Sequence, residues 1–200
     1  RDAPFASGNV LHTPFLPIKF FTLRCEKVGY HSSDLLYYEP QYMPKINNYT
    51  YDEITIGQTA TYSKLIEERD VQLFAAVSGD VNPVHLDAAF AATTQFKSCI
   101  AHGMLSGAII SAAIAMELPG PGTIYLGQSL RFRLPVKLGD TITVNLKVID
   151  KTDKRKFVTL DCNVFNQNEQ LVVTGTAEVM APKEKLVLER PTLPTVRIGD

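Results

Sequence analysis

The run "AHGMLSGAIISAAIAMEL", Ala101 to Leu118, is the longest apolar stretch of the chain. It falls short of a membrane-spanning helix and is rich in small and hydroxyl residues. Its pattern predicts a helix from about His102 to Glu117, stopped by the prolines and glycines of "LPGPG". Apolar side chains lie nearly all round that helix, so it belongs inside a fold rather than on a surface.

The flanking segments say what could enclose it. Upstream, "EITIGQTATYSKLI" alternates as a strand does. "EERDVQLFAAVSG" follows, with Val71, Phe74, Ala75 and Val77 at helical spacing and Gly79 as its stop. "LDAAFAATTQF" predicts a second short helix with Asp87 as its N-cap. Downstream the period switches. "TIYLGQSLRFRLPV", "DTITVNLKVID", "KFVTLDCNVFN" and "QLVVTGTAEVMA" are β-rich, with the turn signals "KLGD", "KTDKRK" and "NQNE" between them. One strand, then helices, then four strands is an α+β order with an antiparallel sheet. Wrapping that sheet around the long central helix is the economical way to bury it, which is the hotdog fold.

Two regions fall outside this pattern. Residues 1–48 carry five prolines (Pro4, Pro14, Pro17, Pro40 and Pro44) and no sustained period, and form an irregular N-terminal extension. Two readings stay open for it. It packs on the domain through Phe15, Phe20, Phe21, Tyr37 and Tyr38, or Met43 is the natural start and the residues before it are non-native. Residues 49–182 form the domain. Residues 183–200 read as a Pro-containing linker or tail that could lead into a further domain.

Composition narrows the function. Two hundred residues with 45% hydrophobic content suit one domain with extensions. A net charge of −1 and a pI of about 6.5 supply no basic field for nucleic acid or for an acidic membrane surface. Cys25, Cys99 and Cys162 are odd in number and widely spaced. They argue against a disulfide framework or a zinc site and fit a reducing, cytoplasmic setting. "PFLPIKFF" lacks the basic start of a signal peptide.

"SGDVNPVHLD", Ser78 to Asp87, carries Asp80 and His85 around Asn82-Pro83. Pro83 disfavours helical geometry at Asn82, which puts both side chains on a constrained loop. One reading is an Asx-type turn, Asp80 bonding nearby amides with His85 exposed. The other is an acid–base pair that holds one water, the imidazole taking its proton. "IAHGML", Ile100 to Leu105, sets Gly103 in the first turn of the long helix, where backbone N–H groups lack partners. A ligand can approach glycine closely there, and a developing oxyanion would be stabilised. The alternative is that His102 and Gly103 only shape the helix entry.

Taken together, "FAAVSGDVNPVHLDAAFAATTQF", "IAHGML" and "LPGPGTIYLGQSLRFRLPVKLGD" closely resemble the MaoC-like, (R)-specific enoyl-CoA hydratases of the PhaJ type. The resemblance runs from about Tyr51 to Pro182, and its D-x-N-P-x-H motif is specific within that family. It implies a hotdog fold, a homodimer, and reversible syn hydration of trans-2-enoyl-CoA to (R)-3-hydroxyacyl-CoA. Carried over by position, Asp80 and His85 are the catalytic pair and Gly103 offers its N–H to the thioester oxygen. Asn82 shapes the loop, and Met104, Ser111 and Ile114 contribute to the substrate pocket. The resemblance implies no metal and no cofactor, coenzyme A being part of the acyl-CoA substrate. "GPGTIYLGQSLRFRLPVKLGDTITV" and "TGTAEVMAPKEK" are further similar to the N-terminal hydratase module of bacterial bifunctional enoyl-CoA hydratase/phosphate acetyltransferases. There an acyltransferase domain follows; these residues contain none.

Other features have plainer readings. "KTDKRK" is a solvated turn rather than an anion patch. Arg131 and Arg133 alternate on one strand, toward CoA phosphates or a partner subunit. Ser106 and Ser111 are pocket or packing residues, and Cys99 is a small buried residue. Two alternatives to the hydratase stand: a 3-hydroxyacyl thioester dehydratase acting on an acyl-carrier protein, and a non-catalytic acyl-CoA-binding or assembly module of a larger polypeptide.

Overall fold

The computed structural model describes residues 45–197. The aromatic residues expected to pack the N-terminal extension lie outside the described residues, as do Cys25 and Met43. The chain runs β1 (Lys45–Asn47), β2 (Thr59–Leu65), α1 (Glu68–Ser78), α2 (Pro83–Leu86), α3 (Ala88–Thr93), α4 (Gly103–Met116), β3 (Ile124–Phe132), β4 (Thr141–Thr152), β5 (Phe157–Phe165), β6 (Leu171–Met180) and β7 (Val187–Glu189).

Local chemistry sets the helix ends. The Glu67 N–H donates to the Asp70 carboxylate at 3.0 Å where α1 begins. The same helix ends at Gly79, whose φ of 76° is left-handed, as its sequence position predicts. Asp87 caps α3, accepting from the Ala89 and Phe90 amides at 2.9 and 3.0 Å. His102 and Glu117 flank α4.

β2 to β6 form one antiparallel sheet in the order β2-β4-β5-β6-β3. Alternate residues of β4 (Ile142, Val144, Leu146, Val148) and β5 (Val158, Leu160, Cys162, Val164) point into the core. There they meet Leu105, Ile109, Ile110, Ala113 and Ile114 of α4. Burial pushes the Cys162 thiol up to about 12, so it behaves as a small apolar residue. Enclosure of α4 is one-sided, which corrects the expectation of a fully enclosed helix. Met104, Ala108, Ser111 and Ala115 form an open stripe on its far face. No helix among the described residues is long and apolar enough to cross a membrane.

The edges of the domain differ from the sequence reading. Residues 45–47, placed in the irregular extension, pair antiparallel with residues 187–189, placed in the tail. Strands of three residues carry no readable period, and only long-range pairing makes them. Asn48 anchors this ribbon. It is fully buried, donates to the carbonyls of Pro121 and Glu184 at 3.0 and 2.9 Å, and accepts from the Leu186 amide at 2.9 Å. Asn48→Ala leaves those three groups without their partner. It is expected to cost about 2–4 kcal/mol, read as a lower denaturant midpoint. An unchanged midpoint would show that solvent reaches these groups.

Candidate active site

The polar end of the site is assembled from α1, α2 and the start of α4. After Gly79 the chain enters two consecutive side-chain turns. Asp80 Oδ1 accepts from the Asn82 amide, and Asn82 Oδ1 accepts from the Val84 amide, each at 3.2 Å. Asn82 is thereby the N-cap of α2, with Pro83 at its first position. His85 therefore stands on a one-turn helix of 4 residues, which corrects the loop expected for it. Pro83 keeps Asn82 out of helical geometry, and the helix starts immediately after it.

The backbone fixes the orientation of His85. Its Nδ1 lies 2.8 Å from the Ile100 carbonyl. A carbonyl only accepts, so Nδ1 carries the hydrogen and Nε2 is left free. Ile100 is itself held to α2 by a bond from its amide to the Val84 carbonyl at 3.3 Å. The free Nε2 lies 3.9 Å from Asp80 Oδ2. That gap is too long for a direct hydrogen bond and short enough for one water to touch both atoms. The Asx turn is present, but His85 is not the exposed side chain that the turn reading expected. One carboxylate oxygen makes the Asx turn, while the other faces the imidazole, whose side chain is only 10% exposed.

His102 closes this group from behind. It is 2% exposed, and its Nε2 lies 2.9 Å from the Asp80 carbonyl. Its ring stacks on His85 with centroids 3.8 Å apart and planes 29° apart. Donor atoms of Asp80, His85 and His102 fall within 4.8 Å of one another, a spacing that could hold a metal ion. An ion about 2 Å from a ring nitrogen lies in that ring's plane, and hence out of the plane of the ring stacked on it. The stacking therefore fits acid–base chemistry better than coordination.

A cavity of about 280 Å³ opens beside this group. His85, His102, Gly103 and Ser106 line its polar end. Gly103 is the first residue of α4, so its N–H has no partner within the helix. A Cβ there would stand 3.1 Å from the exposed Phe132 ring, which would have to give by a few tenths of an ångström, so glycine leaves this approach the most open. Phe96, Ile100, Phe132, Leu134 and Val173 supply apolar wall. Sequence reasoning missed these five; Phe96 stands shortly before "IAHG", Ile100 opens it, and Phe132 and Leu134 lie within "RFRLPV", while Val173 comes from "QLVVTGTAEVMA" with no such hint. The cavity lining contains none of Asp80, Asn82, Met104, Ser111 and Ile114; Asp80 is placed beside it by its 3.9 Å approach to His85. Ile114 lies in the core, and Met104 and Ser111 lie on the open stripe of α4. β3 ends at Phe132, so Arg133 lies beyond the strand and joins the cavity wall without Arg131.

Comparison with known proteins gives a consistent picture. A family model described as MaoC like domain matches residues 50–168. An (R)-specific enoyl-CoA hydratase from Rhodospirillum rubrum is 46% identical over 134 residues, which span 66% of this chain and 91% of that protein. The (R)-specific enoyl-CoA hydratase of Aeromonas caviae is 46% identical over 129 residues, 64% of this chain and 96% of that protein. Among solved structures, the unliganded R-hydratase PhaJ1 from Pseudomonas aeruginosa superposes with a TM-score of 0.75 at 62% identity. It covers 78% of this chain and 100% of that one. These hotdog-fold relatives match the sheet and helix described above. Since the matched span takes in all four α-helices among the described residues, and with them the loop and helix start that face the cavity, the chain belongs to the family of MaoC-like domains.

Proposed function

We propose that this chain is an enoyl-CoA hydratase, adding water reversibly across the double bond of a trans-2-enoyl-CoA to give the (R)-3-hydroxyacyl-CoA. The observation that carries the reading is the free Nε2 of His85 facing Asp80 Oδ2 across 3.9 Å, beside a cavity that Gly103 also lines. The names of the relatives at 46% identity support it.

The proposed chemistry uses this chain's own groups. A water between Asp80 and His85 gives a proton to Nε2 as its oxygen bonds to the β-carbon. Electrons of the double bond move toward the thioester, whose oxygen gains negative charge opposite the Gly103 N–H. The proton held at the pair then passes to the α-carbon on the same face, so one water supplies both added groups. The thioester is the electron sink, and no step draws on a metal or redox cofactor. Asn82 acts by capping the helix that carries His85.

The natural unit in this reading is a homodimer. Among the described residues β3 has one unpaired edge, Ile124, Tyr125, Leu126 and Phe132 on it are exposed, and its Leu130 and Phe132 approach Gly107 and Gly103 of α4. A second copy would cover this surface, and Met104 and Ser111 would contact the acyl chain there. Ile114 would act through packing. Light scattering is expected to give twice the chain mass; a monomer at micromolar concentration would refute the dimer.

The direct test is loss of the conjugated absorbance of crotonyl-CoA on adding the protein, with chiral analysis of the product. Formation of (R)-3-hydroxybutyryl-CoA is expected. A folded protein inert toward crotonyl-CoA and toward longer enoyl-CoAs would sink the proposal.

A further inference from the structure

We infer that His102 is a positioning residue, whose single ring sets both the Asp80 backbone and the plane of His85; the inference rests on the hydratase reading. His102 occupies the N-cap position of α4, where serine, threonine, aspartate or asparagine would bond the first free amides. Its side chain makes no such bond. It turns away from the helix and reaches the Asp80 carbonyl, 22 positions earlier, at 2.9 Å. It also buries an Nδ1 that has no hydrogen-bond partner. An unmade cap and an unpaired buried nitrogen both count against stability. What this placement achieves is contact with both members of the pair.

Each contact does a separate job. The carbonyl of Asp80 only accepts, so His102 Nε2 carries the hydrogen and pins the main chain at Asp80. Asp80 is otherwise 52% exposed at its side chain, and its Oδ2 must be held at a set distance from His85. The stack serves His85. A single bond from Nδ1 to the Ile100 carbonyl leaves the His85 ring free to rock about that bond. The face of His102 at 3.8 Å blocks one direction of that motion. His102 is braced in turn by the Phe74 ring of α1, 5.1 Å away and tilted by 47°. The pair separation thus depends on one buried ring wedged between α1 and α4.

Two substitutions separate the two jobs. His102→Gln keeps an N–H donor near the Nε2 position and loses the stack; His102→Phe keeps a flat ring and loses the donor. With crotonyl-CoA, each is expected to lower kcat by about 10- to 100-fold, the scale of a misplaced catalytic group, with KM held within about threefold. Thermal melting of each variant shows whether it is folded. Folded variants that keep wild-type kcat, or lose only KM, would overturn the inference. Nitrogen-15 correlation spectra of the wild-type imidazoles give a readout independent of turnover. They are expected to show His102 protonated at Nε2 and His85 at Nδ1, and the reverse tautomers would overturn the inference in an active enzyme. A wild-type protein inert with every enoyl-CoA tested would instead defeat the hydratase reading, and this role with it.

Discussion

His85→Ala and Asp80→Asn are each expected to lower the hydration rate of crotonyl-CoA by about 10³-fold or more, within the range for a lost acid–base group. The two changes report different things. His85→Ala removes the ring whose Nε2, 3.9 Å from Asp80 Oδ2, receives the water's proton. His102 cannot replace it, because its Nε2 is engaged by the Asp80 carbonyl and its Nδ1 is buried. Asp80→Asn is the sharper probe. An asparagine can keep the side-chain oxygen that accepts from the Asn82 amide at 3.2 Å, so the turn survives. What it loses is the negative charge opposite His85. Thermal midpoints of the Asn variant should stay close to wild type while its rate collapses. A variant within tenfold of wild type would remove Asp80 from the chemistry.

Gly175→Ala carries the largest expected effect on stability. Gly175 of β6 pairs with Leu130 of β3 and Cys162 of β5, in the middle of the sheet. An added Cβ would stand 1.8 Å from the Ser129 carbonyl oxygen, 2.9 Å from its carbon and 3.2 Å from the Leu130 Cα. All three neighbours are main chain, so no side-chain rotation relieves the clash. Either β3 lifts away from β6 or the β6 backbone buckles. At least about 3 kcal/mol of stability should go, the upper part of the range for overpacking. β3 leads into the cavity wall at Phe132, so hydration should fall as well. Urea unfolding decides it, and a midpoint shift worth less than about 0.5 kcal/mol would show that the sheet relaxes freely there.

The elements that the sequence reading placed correctly share a local cause. Gly79 and Asp87 end and begin their helices through bonds made within a few residues. The alternation in "DTITVNLKVID" and "KFVTLDCNVFN" is visible because one face of each strand is buried. The one-turn helix under His85 escaped because 4 residues are too few to display a 3.6 period. The β1–β7 ribbon escaped because its partners are more than a hundred positions apart, Lys45 facing Glu189.

Residue chemistry at short spacing therefore settled α1, α3, α4 and the four consecutive strands, and put forward Asp80 and His85 as a candidate pair. Each depends on bonds or periods that neighbouring residues express by themselves. Tertiary structure alone decided the cavity, whose walls come from Phe96, Ile100, Phe132, Leu134 and Val173 on segments far apart in the chain. It alone decided which nitrogen of His85 is free, because that depends on the Ile100 carbonyl, 15 positions away. It alone turned His102 from a helix cap into a brace, because stacking and the bond to Asp80 exist only once α1, α2 and α4 have packed together.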